Sequence, residues 1–411
     1  MPRHNTRRCP LILARKVYRC ILRHALWLTA DRAVAASRIL LAILVGLFAS
    51  IPWTVPTMRV GWDFAAFWTA SRLALAGRAS DAYGDPERAA LAALLGPGDY
   101  PPFFYPPIAL LFWLPFAIMP FAIAATLWMA CSGAAFASAV RATFGSRFVI
   151  PALSCPSVLF CALYGQNSLL SAALLCGAAA ALDRLPVLAG IFLGLLAFKP
   201  QLALLAHLAL VVAGRWCALV SAAATATILG LLSVAAFGTR SWVAFAASIP
   251  AAKTFNADGV PGFDKFISSY AAIRLLGWPE SMAWTVQAVT ALVASALLIA
   301  AARKRPGGGG EISLIIVATG FCVPFFGEYE FVIFVVPAAW LASQAIQTGW
   351  LPFERLTLGL IYFAPLAIKS ATAHGVPLAP IAVLATTVLT LRRAFRHVVD
   401  PNSSASGVSA R

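Results

Sequence analysis

Ala36-Ser37-Arg38-Ile39-Leu40-Leu41-Ala42-Ile43-Leu44-Val45-Gly46-Leu47-Phe48-Ala49-Ser50-Ile51-Pro52-Trp53 decides the fold. After Arg38 the run carries no charge and approaches the ~20 apolar residues that a helix needs to cross a bilayer. The rest of the chain is of the same character: 61% of its 411 residues are hydrophobic and 11% are charged. Soluble domains carry about 25% charged residues, so the sequence predicts an all-α, polytopic transmembrane helical bundle.

The net charge of +16 does not indicate nucleic-acid binding once its distribution is read. Much of it lies in residues 1–38, in Arg303-Lys304-Arg305 and around Arg392, Arg393 and Arg396, flanking apolar runs as the positive-inside rule predicts. The eight cysteines and five histidines are scattered, and no CxxC pair occurs. That pattern indicates neither a His- or Cys-based metal site nor a redox motif and leaves a carboxylate-bound cation as the open alternative; no cofactor is expected. Residues 1–33 read as a basic cytoplasmic segment, with an amphipathic helix over Leu11 to Leu28 lying on the inner leaflet. Residues 396–411 read as a disordered cytoplasmic tail.

Basic residues precede the first span, so it leaves the cytoplasm and delivers the following loop, residues 54–106, to the outer side. Within that loop, Phe64 to Ala76 and Asp85 to Leu95 read as short amphipathic helices along the interface, the first stopped by Gly77 and the second opened by Asp85-Pro86. Residues 107–119 form a half-helix of about 20 Å, too short to span. Charge then places Phe121 to Arg141, Phe148 to Tyr164 and Ser168 to Leu182 as crossings. Val187 to Ala213 is broken by Lys199-Pro200 into two short helices. Trp216 to Phe237 leads to a second external loop over residues 238–283, and Trp284 to Ala302 returns to Gly307 to Gly310, read as a flexible linker. Ile312 to Phe326, Phe331 to Gln347, Leu356 to Ile368 and Val376 to Leu391 complete about 12 spans, with both termini inside.

This topology gathers unusual polar residues on one side: Asp63, Asp81, Tyr83, Gln166, Asn167, Lys199, Glu328, Tyr329 and Glu330. Only 15 residues of the chain are acidic, so a carboxylate at membrane depth is a functional candidate. Asp63 sits in Gly61-Trp62-Asp63-Phe64, where a catalyst acting on a lipid-linked substrate would place its base; it also fits an N-cap, and the two roles are compatible. Lys199, between Phe198 and Pro200, must snorkel, pair with a carboxylate or bind an anion such as a lipid phosphate, with Arg72 as its helper. Gln166 and Asn167 fit either an ordinary turn or a site, and Glu328 and Glu330 fit either a site or a solvated span boundary. Tyr105-Pro106-Pro107 reads as a rigid lead-in to the half-helix, and Asp85 as a cap.

These residues also have a recognisable order. Asp63-Phe64 with Phe67-Trp68, Ala70 and Leu73, then Gly77 and Asp81-Ala82-Tyr83-Gly84-Asp85-Pro86, resembles the first external loop of glycosyltransferase family 87. Tyr105-Pro106-Pro107 with Pro115, Gly165-Gln166-Asn167, Ala189-Gly190 with Gly194-Leu195, Lys199-Pro200, and Pro324 with Glu328-Tyr329-Glu330 follow in the expected sequence. The resemblance spans residues 34–395 and implies a fold of the GT-C class that uses a polyprenyl-phosphate sugar; the best-known members are phosphatidylinositol-mannoside α-1,2-mannosyltransferases. It implies Asp63 as catalytic base, Lys199 as a donor-phosphate or structural cavity residue, and Gln166 and Tyr329 as sugar or cavity contacts; Asn167, Glu328, Glu330, Arg72 and Tyr105 complete the candidate substrate-binding residues. One departure is that members often carry Asp-Tyr-Asp where this chain has Glu328-Tyr329-Glu330.

The expected function is therefore inverting transfer of a hexose, mannose by the resemblance, from a polyprenyl-phosphate donor to a glycolipid or glycan acceptor. The expected location is the cell inner membrane, with membrane lipids around the bundle and the site on its periplasmic face. The alternative is a secondary transporter or lipid flippase, which also uses broken helices and buried charges. A non-catalytic scaffold is the third reading, and it predicts that Asp63 and Lys199 tolerate substitution.

Overall fold

A computed structural model of the chain describes residues 23–54, 60–96, 98 and 102–396. The described residues form α- and 3-10 helices without a strand, and one isolated antiparallel bridge joins Phe266 to Gly327. Six helices are long and apolar enough to cross a membrane: Ala30–Ile51, Phe121–Phe144, Trp216–Ala257, Glu280–Ala302, Glu328–Thr348 and Leu378–Arg396. A bent pair, Ser146–Leu153 with Pro156–Tyr164, raises the number to seven if it counts as one span. The chain is thus a multi-pass membrane protein. Six or seven spans is fewer than the twelve read from the sequence, because several apolar runs fold as helices too short to cross by this measure.

Those short helices form the centre. Ser168–Ala181 and Gly308–Cys322 are apolar around nearly their whole circumference and are buried along most of their length. A helix without a polar face belongs inside a bundle. The long helices surround them and keep Ile39, Ile43, Leu231, Leu292 and Leu384 exposed, an apolar exterior suited to lipid.

Breaks occur where backbone chemistry requires them. Pro156 lacks an amide hydrogen and holds Cys155 extended (φ −62°, ψ 128°), so the expected Phe148 to Tyr164 span bends by 60°. Lys199 (φ −127°, ψ 74°) separates the 3-10 turn Leu196–Phe198 from the Pro200–Val212 helix, giving the two short helices expected there. Gly238 (φ 73°) interrupts the Trp216–Ala257 helix where the span was expected to end. Beyond it the chain resumes as helix to Ala257, so the front of the expected loop over residues 238–283 is helical.

Two readings need correction. Gly307 to Gly310 is not a free linker, since Gly308 opens a buried helix. A side chain on Gly308 would lie 2.6 Å from the Ala179 carbonyl oxygen, and only glycine permits that approach. In residues 54–106, Trp62–Leu75 and Asp85–Leu95 form as helices, but the first is not an interfacial amphipathic helix. Phe64, Ala65, Ala66, Phe67, Thr69, Ala70 and Ser71 are all buried in the bundle. The amphipathic segment before Arg23 and the polar tail lie outside the described residues.

Candidate active site

Asp63 lies in the first turn of the Trp62–Leu75 helix, but it does not cap that helix; Gly61 occupies the cap position with φ 81°. The Gly61 amide donates to the Leu163 carbonyl over 2.8 Å, which pins the helix start against the turn after Tyr164. Gly165 (φ 71°) makes this possible: a Cβ there would stand 2.6 Å from Phe64 Cβ. The next residue, Gln166, is buried, and its Nε2 donates to Asp63 Oδ2 over 2.7 Å. Its Oε1 accepts the Asn167 backbone amide at 3.3 Å, which orients the side chain so that a donor faces the carboxylate.

Asp63 is enclosed yet keeps partial exposure. Burial lifts its carboxyl from the ordinary 3.8 to about 6, against the Gln166 hydrogen bond and the positive charges of Lys265 and Lys199; the Glu328 charge adds to the rise. The result is a carboxylate that is ionised at neutral pH but more basic than usual.

Lys199 is 2% exposed. The helix break before Pro200 frees its side chain to reach across the bundle, where Nζ pairs with Glu330 Oε1 and lies 3.5 Å from Ser168 Oγ. The ammonium also stands 6.0 Å from the Tyr105 ring centre and 5.9 Å from that of Tyr329, within cation–π range. Glu330 Oε2 is buried without a hydrogen-bond partner. The Asn167 amide faces Tyr105, but neither of its polar atoms completes a hydrogen bond of normal geometry. Glu328 accepts the Tyr164 hydroxyl at 2.9 Å, and Tyr329 packs edge-on against Tyr164. Buried polar atoms without partners are costly in a finished core and mark a place where a polar ligand is expected.

The structure therefore brings together Asp63, Gln166, Asn167, Lys199, Glu328, Tyr329, Glu330 and Tyr105. Gln166 and Asn167 are buried residues, not members of a solvated turn, and Glu328 and Glu330 are likewise buried. Arg72 is not brought in. Nine residues beyond Asp63, it falls on the opposite side of the helix, exposed, with its guanidinium over Trp68 and a 3.4 Å hydrogen bond to the Ala117 carbonyl. Asp81 pairs with Arg78, and Asp85 is exposed without capping its helix.

Four residues escaped the sequence reading. Tyr164 and Ser168 flank Gly165-Gln166-Asn167 and were within its reach as polar neighbours. Asp264 and Lys265 gave no such signal. They arrive because Phe266 bridges to Gly327 and the Ile267 amide donates to the Phe326 carbonyl at 2.8 Å, joining the second loop to the Glu328-Tyr329-Glu330 turn. Among the described residues no group of three or more His, Cys, Asp or Glu side chains is arranged to hold a metal ion.

The sequence model of glycosyltransferase family 87 matches residues 103–323, more than half of the chain. The chain belongs to glycosyltransferase family 87. Membership makes it a membrane glycosyltransferase, an enzyme with a sugar donor and an acceptor. The matched stretch of this family 87 protein contains Tyr105, Gln166, Asn167 and Lys199, whereas Asp63 and the Glu328-Tyr329-Glu330 turn lie on either side of it. The fold carries these flanking residues into contact with the matched ones. No curated protein and no solved structure matches the chain.

Proposed function

We propose that this enzyme transfers a hexose, mannose by the family pattern, from a polyprenyl-phosphate donor to a hydroxyl of a glycolipid or glycan. The observation that carries this reading is Asp63, a partly exposed carboxylate held by Gln166 beside a buried ammonium. Asp63 takes the proton from the acceptor hydroxyl. The acceptor oxygen attacks the anomeric carbon in line, and the bond from that carbon to the phosphate oxygen breaks with its electron pair leaving on the phosphate. A β-linked donor thereby becomes an α-glycoside. A phosphate leaves without a general acid, so one carboxylate suffices where glycosidases use two.

Positive charge then has to meet the phosphate. Lys199 is neutralised by Glu330, and its part is to hold the cluster together, with Tyr105, Tyr329 and Asn167 around it. Lys265 is exposed and exerts a larger pull on Asp63 than Lys199 does, which favours it as the phosphate contact.

Charge supports a site on the outer face. The Ser168–Ala181 helix, about 21 Å long at ~1.5 Å per residue, starts at the Lys199 cluster. Just beyond its other end, Asp183 accepts Arg215 at 2.6 Å. Arg215 also holds Glu311 at 2.6 Å, and Arg305 lies against Gly214. The positive-inside rule assigns that basic end to the cytoplasm, hence Asp63 to the periplasmic side of the inner membrane. In this reading Ser168–Ala181, Pro186–Phe198, Pro200–Val212 and Gly308–Cys322 cross alongside the long helices, the bent pair and Glu354–Ala373, giving about 12 passages within residues 34–395 besides the half-helix.

The test is transfer from labelled polyprenyl-phosphate mannose to glycolipid acceptors in membranes. Asp63→Asn is expected to lower the rate ~10²–10⁴-fold, the range for a positioned base, with unchanged expression. Normal transfer by that variant refutes the assignment, and substrate flux without transfer favours a transporter.

A further inference from the structure

A cavity of about 320 Å³ lies between Tyr83–Arg88, Pro102–Phe104 and the helix that follows Gly238. It is separate from the Asp63–Lys199 cluster, none of whose residues lines it. Glu87 in its wall is 1% exposed, and neither carboxyl oxygen has a hydrogen-bond partner. The Phe103 backbone amide approaches the carboxyl without completing a bond of normal geometry. A buried carboxyl with both oxygens unmatched is costly unless a ligand supplies the partners.

The surroundings define the ligand. Burial lifts the Glu87 carboxyl to about 8, against the nearby Arg88 charge, so at neutral pH it is mostly the neutral acid, with one donor and several acceptor positions. Such a group matches a pair of vicinal hydroxyls and has little attraction for a cation. Phe103, Phe104 and Tyr83 supply ring surfaces, and the Tyr83 hydroxyl is already given to the Tyr105 carbonyl at 2.9 Å. Arg88 is exposed at the wall, near Asp85 at 3.9 Å. The volume is at the small end of the ~300–1,000 Å³ typical of ligand pockets, enough for a single sugar ring and too little for a polyprenyl chain.

The cavity is also next to the chemistry. Phe103 packs edge-on against Phe67, one helical turn beyond Asp63. Tyr105, whose carbonyl holds Tyr83, faces Lys199 with its ring. One aromatic layer separates the cavity from the cluster.

We propose that this cavity is the acceptor subsite and receives a neutral, hydroxyl-rich sugar ring through paired hydrogen bonds to Glu87. The inference rests on the transfer reading above and names where the acceptor's glycan is held, away from the hydroxyl that reacts.

Binding of methyl α-mannopyranoside to the full-length protein in detergent micelles tests it, by saturation-transfer NMR and calorimetry. Native protein and Asp63→Asn are expected to bind the glycoside equally. Glu87→Ala is expected to weaken binding tenfold or more, whereas Glu87→Gln, which keeps a donor and an acceptor, stays within threefold of native. Ala247→Trp, at the exposed rim and away from the core, fills the cavity and is expected to abolish binding without lowering the unfolding midpoint. Native affinity in both Glu87→Ala and Ala247→Trp overturns the proposal, as does competition by inorganic phosphate or the absence of saturable binding to native protein. Transfer that survives in Asp63→Asn would instead sink the catalytic reading, with the binding results standing.

Discussion

Lys199 and Glu330, 131 residues apart in sequence, form an ion pair that is almost completely removed from solvent. The pair joins the break between two central helices to the turn that opens Glu328–Thr348. Removing one partner strands a buried charge, which costs ~3–5 kcal/mol. Lys199→Met and Glu330→Leu are each expected to lower the unfolding midpoint in detergent markedly. The double variant is expected to recover most of that loss while remaining inactive. Single variants as stable as native protein would show that the pair does not hold the site.

Transfer is expected to follow the ionisation of Asp63. The base works only as carboxylate, so kcat/KM rises with pH through an apparent pKa of about 6 and levels above it. A profile that stays flat from pH 5 to 8 with native substrates would remove Asp63 from the proton transfer.

The same carboxyl weakens the fold. Its pKa is raised on folding, so the folded state binds the proton more tightly than the unfolded chain. Stability is therefore greatest below the ordinary 3.8 and falls as pH rises to about 6. The loss is complete above that and amounts to about 3 kcal/mol. Asp63→Asn avoids it, so the variant is expected to unfold at a higher temperature than native protein at pH 8, with the gap closing toward pH 4. Equal midpoints at pH 8 would contradict the enclosure described for Asp63.

Gly165→Ala tests the turn that presents Gln166. The backbone there has φ 71°, and the new methyl would stand 2.6 Å from Phe64 Cβ. Strain of ~1–3 kcal/mol is expected, together with a displaced Gln166 and transfer reduced at least tenfold. Native activity in this variant would show that the Gln166 contact is dispensable.

Much of the site was legible because each member breaks an apolar pattern. Asp63, Gln166, Lys199 and Glu330 are polar residues at positions where lipid-facing or core residues would be expected, and an uncompensated charge there demands a partner. Arg72 was drawn in by charge alone, although a separation of nine residues puts it half a turn away on its helix. Gly307 to Gly310 read as a linker because composition records flexibility and not contact; the nearby Ala179 carbonyl and Trp340 ring appear only in three dimensions. Lys265 had no local signature, since the Phe266–Gly327 bridge that positions it joins segments with nothing in common in sequence. The short central helices are as apolar as the long ones, so hydropathy reads them as crossings although their length alone does not qualify them as spans.

The family match ends before Glu328 and begins after Asp63. A fragment trimmed to those limits would keep the amide of Gln166 and the ammonium of Lys199 while discarding the acids that each one grips. It would be a frame without a reagent. Relatives sorted on that middle stretch alone can share the frame and still differ in whether they turn over, and the two flanks are where such chains should be told apart.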